Sequence, residues 1–193
     1  MKHLVKTIGF ASIALALTLS SCGGKKGTTS PDGGKRIKLE TQPCSQEGQN
    51  TKEYFAASGI GESSDRQTAQ KKALSNARER LGTNLQVTVK AVTDNYVNSR
   101  EYNNVEEIEE RYESLGREVV DVELRGLNTV CLEEELDPNT NKYICYVAIR
   151  MDGEKLLGKL NEGISNDERL KIDYDYEKFK ETFNQEMEKA AQK

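Results

Sequence analysis

Four residues can do thiol chemistry: Cys22, Cys44, Cys131 and Cys145. A thiol can act as a nucleophile, a metal ligand, half of a disulfide or the site of an attached group. No two of these cysteines lie close enough in sequence to read as a metal-ligand pair. Cys22 stands apart from the other three. It follows Leu19, Ser20 and Ser21, at the end of an apolar run from Ile8 to Leu19 that is broken only by Gly9, Ser12 and Thr18. Ahead of that run, Lys2, His3 and Lys6 supply positive charge. The run is short of the roughly 20 apolar residues of a spanning helix and suits the apolar core of a secretory leader.

Leu19-Ser20-Ser21-Cys22 resembles the lipobox of bacterial lipoproteins. The resemblance implies that the Cys22 thiol carries a diacylglyceryl group and that residues 1–21 are a signal peptide removed on processing. Cys22 is the expected lipidation site, and membrane lipid the first expected partner. Gly23 and Gly24 occupy the positions where an aspartate signals inner-membrane retention in enteric lipoproteins. By the same resemblance they favour the outer membrane, with either its periplasmic or its outer face possible.

Removing residues 1–21 changes the charge balance. The 193-residue chain has a formal net charge of −4; loss of Lys2 and Lys6 with no acid takes it to −6. An acidic chain lacks the basic surface from which nucleic-acid affinity comes, so no nucleic-acid partner is expected. The single histidine, His3, leaves with the leader. Imidazole-assisted nucleophilic catalysis and histidine-ligated zinc are thereby excluded. With Cys22 lipidated, three thiols remain for an oxidising compartment, which predicts one disulfide and one free thiol.

The other chemistry-bearing patterns are incomplete. Gly59-Ile60-Gly61-Glu62-Ser63-Ser64 sits at a strand-to-helix corner, but Ser64 replaces the third glycine of a dinucleotide fingerprint. Asp137, Asn139 and Asn141 begin like a calcium loop. Lys142 then takes its glycine position and Ala148 the position of its bidentate glutamate. Glu133, Glu134, Glu135 and the glutamates around Ile108 read as solvated faces. No catalytic residue, metal site or cofactor is expected, and the chain reads as a non-enzyme.

The elements that carry these residues follow from periodicity. Residues 22–50 read as a flexible tether, rich in glycine, with Lys25, Lys26, Lys35, Arg36 and Lys38 making it basic. As a random coil it would span on the order of 30 Å. Glu53–Ile60 suits a strand that Gly59 and Gly61 end. Ser64, with Gln67 three residues on, forms a capping box. Ala69, Ala73, Ala77, Leu81 and Leu85 then mark one helical stripe, predicting one long helix from Ser64 to Asn95. Val105, Ile108, Tyr112 and Leu115 predict a second helix that stops at Gly116. Val120, Val122 and Leu124 alternate like a strand. Leu127–Leu132 and Tyr143–Met151 flank the turn cluster Asp137-Pro138-Asn139-Thr140-Asn141 and predict a hairpin. Pairing symmetric about Pro138 sets Cys131 opposite Cys145, one possible disulfide; Cys44 with Cys131 is the alternative. Leu156, Leu157 and Leu160 suit a short helix. Asp175 caps a last helix whose stripe is Phe179, Phe183, Met187 and Ala191. That helix either docks on its own domain or is left free for a partner.

Tyr54-Phe55-Ala56-Ala57-Ser58-Gly59-Ile60-Gly61, followed by Ala69, Ala73, Ala77-Arg78 and Leu81, resembles the twenty-kilodalton, or Lpp-twenty, family of bacterial lipoproteins. That family's pattern is a strand ending in Gly-x-Gly, an alanine-rich helix with a late Ala-Arg pair, and a closing hairpin. Val130-Cys131-Leu132 and Tyr146-Val147-Ala148-Ile149 would supply the hairpin. The resemblance covers residues 51–151 and implies an α+β domain, a long helix packed on a small, mainly antiparallel sheet. It implies no enzymatic site. Residues 152–193 lie outside it as a C-terminal helical extension. The functional expectation is a lipid-anchored envelope protein with a structural or interaction role and an envelope protein as partner. The alternative is a lipid-anchored module that binds a small ligand or glycan.

Overall fold

A computed structural model describes residues 41–102 and 104–192. The leader, Cys22 and the basic stretch up to Glu40 lie outside the described residues. The fold is α+β, as expected. Strand β1 (Tyr54–Ser63) leads into helix α1 (Arg66–Asn98) and then α2 (Val105–Glu123). A 3-10 turn precedes the hairpin of β2 (Asn128–Asp137) and β3 (Lys142–Asp152). Helices α3 (Gly153–Asn166) and α4 (Tyr176–Ala191) complete the chain. The sheet is antiparallel throughout, in the order β1-β3-β2.

The alanine stripe explains how helix and sheet meet. Ala69, Ala73 and Ala77 are fully buried against β1. A Cβ on Gly59 would stand 2.3 Å from the Ala73 carbonyl oxygen, and one on Gly61 would stand 2.2 Å from that of Ala69. The two glycines therefore do not end β1, which continues to Ser63. They let the helix backbone lie against the strand, where any side chain would hold it off. Helix α1 begins after Asp65 rather than at Ser64. The Asp65 carboxylate accepts a 2.8 Å bond from the Thr68 amide, which is the cap itself.

Helix α2 does not stop at Gly116 but runs on to Glu123. Tyr112, Gly116 and Val120 recur every four residues and are buried together. Gly116 is small because Val89 of α1 comes to where its Cβ would be. The alternation of Val120, Val122 and Leu124 is thus one buried valine beside an exposed one, Val122 being 54% exposed.

The tether and extension boundaries also shift. Residues 41–50 belong to the compact unit that starts at Thr41. Residues 152–192 share the one core: Leu156, Leu157, Leu160, Ile164, Phe179, Phe183 and Met187 cluster with Phe55, Leu81, Leu85 and Tyr96. Helix α4 docks on its own domain, with Phe183 edge-on to Phe55 at 6.3 Å and Phe179 edge-on to Tyr96 at 5.3 Å.

The hairpin register departs from symmetry about Pro138. Asp137 pairs with Lys142, Glu134 with Cys145 and Cys131 with Ala148, all on the turn side of a bulge between Thr129 and Cys131. The turn residues set this. Asp137 accepts from the Asn139 amide and the Thr140 hydroxyl, both at 2.8 Å, and Asn141 takes a left-handed φ of 53°. A Cys131–Cys145 bond is therefore not formed. Cys131 is bonded to Cys44, with Cα atoms 5.5 Å apart, and Cys145 is a buried free thiol.

Candidate functional site

Sequence patterns mark cysteines, acids and a turn as the places where chemistry could reside. Cys22 lies outside the described residues. Cys44 and Cys131 are joined on the sheet face opposite α1. Register places Cys131, Glu133, Glu135 and Asp137 on that face, and Leu132, Glu134 and Leu136 on the face of Val147 and Cys145. The segment before β1 lies across the former. Cys44 Sγ is 3.6 Å from the Tyr146 carbonyl, Arg150 donates to the Glu47 carbonyl at 3.3 Å, and a Cβ on Gly48 would strike Ser58. Small residues, Ala56 and Ala148, make the floor and are buried beneath it. Cys145 faces the α1 side, where burial pushes its thiol pKa up. It has neither the exposure nor the thiolate character of a reactive cysteine.

The two outer edges of the sheet differ. On β1, three α1 side chains spaced by four residues donate to the strand's outward carbonyls. Arg80 meets Ser58 at 3.0 Å, Asn76 meets Ile60 at 2.7 Å and Lys72 meets Glu62 at 3.0 Å. Asn50 accepts from the Ala56 amide at 2.9 Å. The helical spacing of Lys72, Asn76 and Arg80, one position before each buried alanine or leucine, was the available sequence signal. On β2, the outward backbone groups of 128–136 meet no such partner among the described residues. Val130, Leu132 and Leu136 stand 42%, 51% and 51% exposed along it.

The acids do not form a catalytic pair. Glu134 is not a solvated residue: its side chain is 17% exposed. Arg66 bonds it at 2.5 and 3.0 Å, and Gln70 at 2.8 Å. The Arg66 guanidinium holds the Glu134 carboxyl below its ordinary range. Asp94, Glu109 and Glu113 come together between α1 and α2, but the Lys90 ammonium bonds both Asp94 and Glu113. An acid trio already holding an ammonium is an ion-paired helix contact. Glu186 is likewise taken, by Asn95 and Lys189.

The buried tyrosines are structural. Tyr96 accepts from the Asp175 amide at 2.8 Å, and burial pushes its pKa up to about 12. Burial raises Tyr112 and Tyr174 as well, so all three stay protonated at neutral pH. Two surface hollows accompany these contacts. One of about 250 Å³ lies between Val87, Val89, Glu113 and Gly116. Another, of about 530 Å³, is bordered by Asn50, Arg80, Asn84, Thr88 and Ala190. In the larger one three polar side chains are already engaged: Asn50 with Ala56 and Ala190, Arg80 with Ser58, Thr88 with the Asn84 carbonyl. Among the described residues no helix is long and apolar enough to cross a membrane.

No protein-family model, no curated protein and no solved structure matches the chain.

Proposed function

We propose that the protein is a non-enzymatic lipoprotein of the bacterial envelope, anchored through Cys22 and working by interaction with other envelope components. The observation that carries this reading is the Leu19-Ser20-Ser21-Cys22 sequence directly after an apolar leader. The Cys44–Cys131 disulfide supports it, because such bonds persist in oxidising compartments outside the cytoplasm. An outer-membrane location and membership of the Lpp-twenty family belong to the same proposal. The meeting of Gly59 and Gly61 with the alanine stripe suits that family's Gly-x-Gly strand and alanine-rich helix. A ligand or glycan module finds less support. The helix–sheet interface is filled, and Asn50, Arg80 and Thr88 in the larger hollow are bonded within the chain.

Metabolic labelling with a clickable fatty acid tests the anchor. Labelling is expected on the wild-type chain and should vanish in Cys22→Ala. Full labelling of Cys22→Ala would sink the reading.

A further inference from the structure

We propose that the open edge of β2 is a docking site for an extended segment of a partner protein in which basic and aliphatic residues alternate. The segment would add to the sheet as a fourth strand. An unpaired strand edge is a template for another strand unless it is covered. The chain covers the other edge with Lys72, Asn76, Arg80 and Asn50, so the fold has the means of closing an edge, and among the described residues it applies them to β1 and not to β2.

The side chains of β2 select the occupant. Leu132 and Leu136 are half exposed on one face and flank Glu134, whose charge Arg66 already balances. On the other face Glu133 and Glu135 are exposed with no cationic partner among the described residues. A strand alongside therefore meets aliphatic side chains on one face and carboxylates on the other. Alternating valine-like and lysine-like residues match both, since directly opposed cross-strand pairs favour apolar contact and opposite charge.

The same residues argue against a second copy. Two β2 strands paired antiparallel about this segment set glutamate against glutamate, and like charges directly opposed are destabilising. The disulfide adds rigidity. Cys131 is tied to Cys44 beside this segment, so the edge is presented already ordered and binding does not have to order it.

This inference rests on the interaction role proposed above but not on the anchor, because its test uses the purified full chain in solution. Failure of Cys22 labelling would leave the binding result standing, and the reverse also holds. The probe is the peptide (Lys-Val)4-amide with fluorescein on its N-terminus, titrated by fluorescence anisotropy. Saturable binding is expected, with the glutamate–valine peptide binding at least about tenfold more weakly. The double variant Glu133→Lys/Glu135→Lys should reverse that preference. Both residues are exposed, and circular dichroism checks that it folds. Two N-methylated probes address the backbone, one methylated at every valine amide and one at every lysine amide. Alternate amides of a strand point to the same side, so one probe should lose binding at least about tenfold and the other keep it.

Equal binding by both methylated probes would overturn the proposal in favour of simple charge attraction. So would an unchanged preference in the double variant, or no saturable binding up to about 1 mM. A dimer in gel filtration that Leu132→Lys/Leu136→Lys makes monomeric would assign the edge to a second copy instead.

Discussion

The two margins of the three-stranded sheet are secured by different means. The β1 margin is held non-covalently and throughout its length. Glycines admit α1 to contact distance, and a row of α1 side chains then closes the strand's outward carbonyls. The β2 margin is tied to the rest of the fold at two points, by the disulfide from Cys131 to Cys44 and by Arg66 and Gln70 of α1 at Glu134, and its outward backbone meets no partner among the described residues. Distributed hydrogen bonding makes β1 part of the core. Ties at Cys131 and Glu134 position β2 and leave its Leu132 and Leu136 side chains half exposed.

The disulfide bears the largest expected effect. It joins residues 87 apart in sequence, and in the chain-entropy model its removal in Cys44→Ser/Cys131→Ser should cost about 4.6 kcal/mol. Calorimetry should show a fall in Tm of roughly 10 °C. An unchanged Tm would mean that the β3 ladder and the Glu134 contacts hold β2 without the covalent tie. Next, Gly59→Val forces a side chain into the Ala73 and Ala77 backbone. Urea unfolding should register a loss of about 3 kcal/mol. A near-neutral result would show that α1 can move off β1 freely. Asn76→Ala removes one edge bond, worth about 1 kcal/mol. Hydrogen exchange should quicken around Ile60 and leave β2 unchanged.

The smallest effect is on pH dependence. Arg66 depresses the Glu134 carboxyl, so the folded state binds that proton less readily than the unfolded state does. Its contribution is present above the ordinary carboxyl range, near pH 4.3, and fades as pH falls through the depressed value. Asp137, lowered by the Asn139 amide and the Thr140 hydroxyl, acts in the same sense. Glu134→Gln should therefore flatten the acid limb of a Tm-against-pH curve and leave neutral-pH stability only slightly changed. An acid limb as steep as the wild type's would remove Glu134 from the account.

What was legible in the chain follows the strength of the local signal. The alanine stripe from Ala69 to Leu85 and the Asp175-capped stripe of Phe179, Phe183 and Met187 are repeated patterns, and both helices formed where the repeats place them. The misreadings fall at glycines and turns, where sequence shows an exception without its cause. Gly59, Gly61 and Gly116 look like breaks, yet each is a point of close approach whose partner lies on another element. The hairpin register depended on how Asp137 and Asn141 arrange their own turn, which Pro138 alone does not reveal. The edge-closing row of Lys72, Asn76 and Arg80 reads as ordinary solvent-facing polarity until the strand beside it is known. Glu134 was hidden in the same way, its partner Arg66 lying on another element.

The seclusion of Cys145 bears on how the chain reaches this state. In the native hairpin Cys145 lies opposite Glu134, and an early bond between Cys131 and Cys145 would hold the strands three residues out of step. Three is odd, so such a bond would turn β2 over. Glu133 and Glu135 would then point toward α1, and Leu132 and Leu136 away from it. The wrong pairing would thus be incompatible with docking the long helix, and only a thiol exchange that frees Cys131 for Cys44 would release the chain. Once β3 is covered, the buried thiol can no longer attack, and the finished protein is protected from reshuffling its own bond.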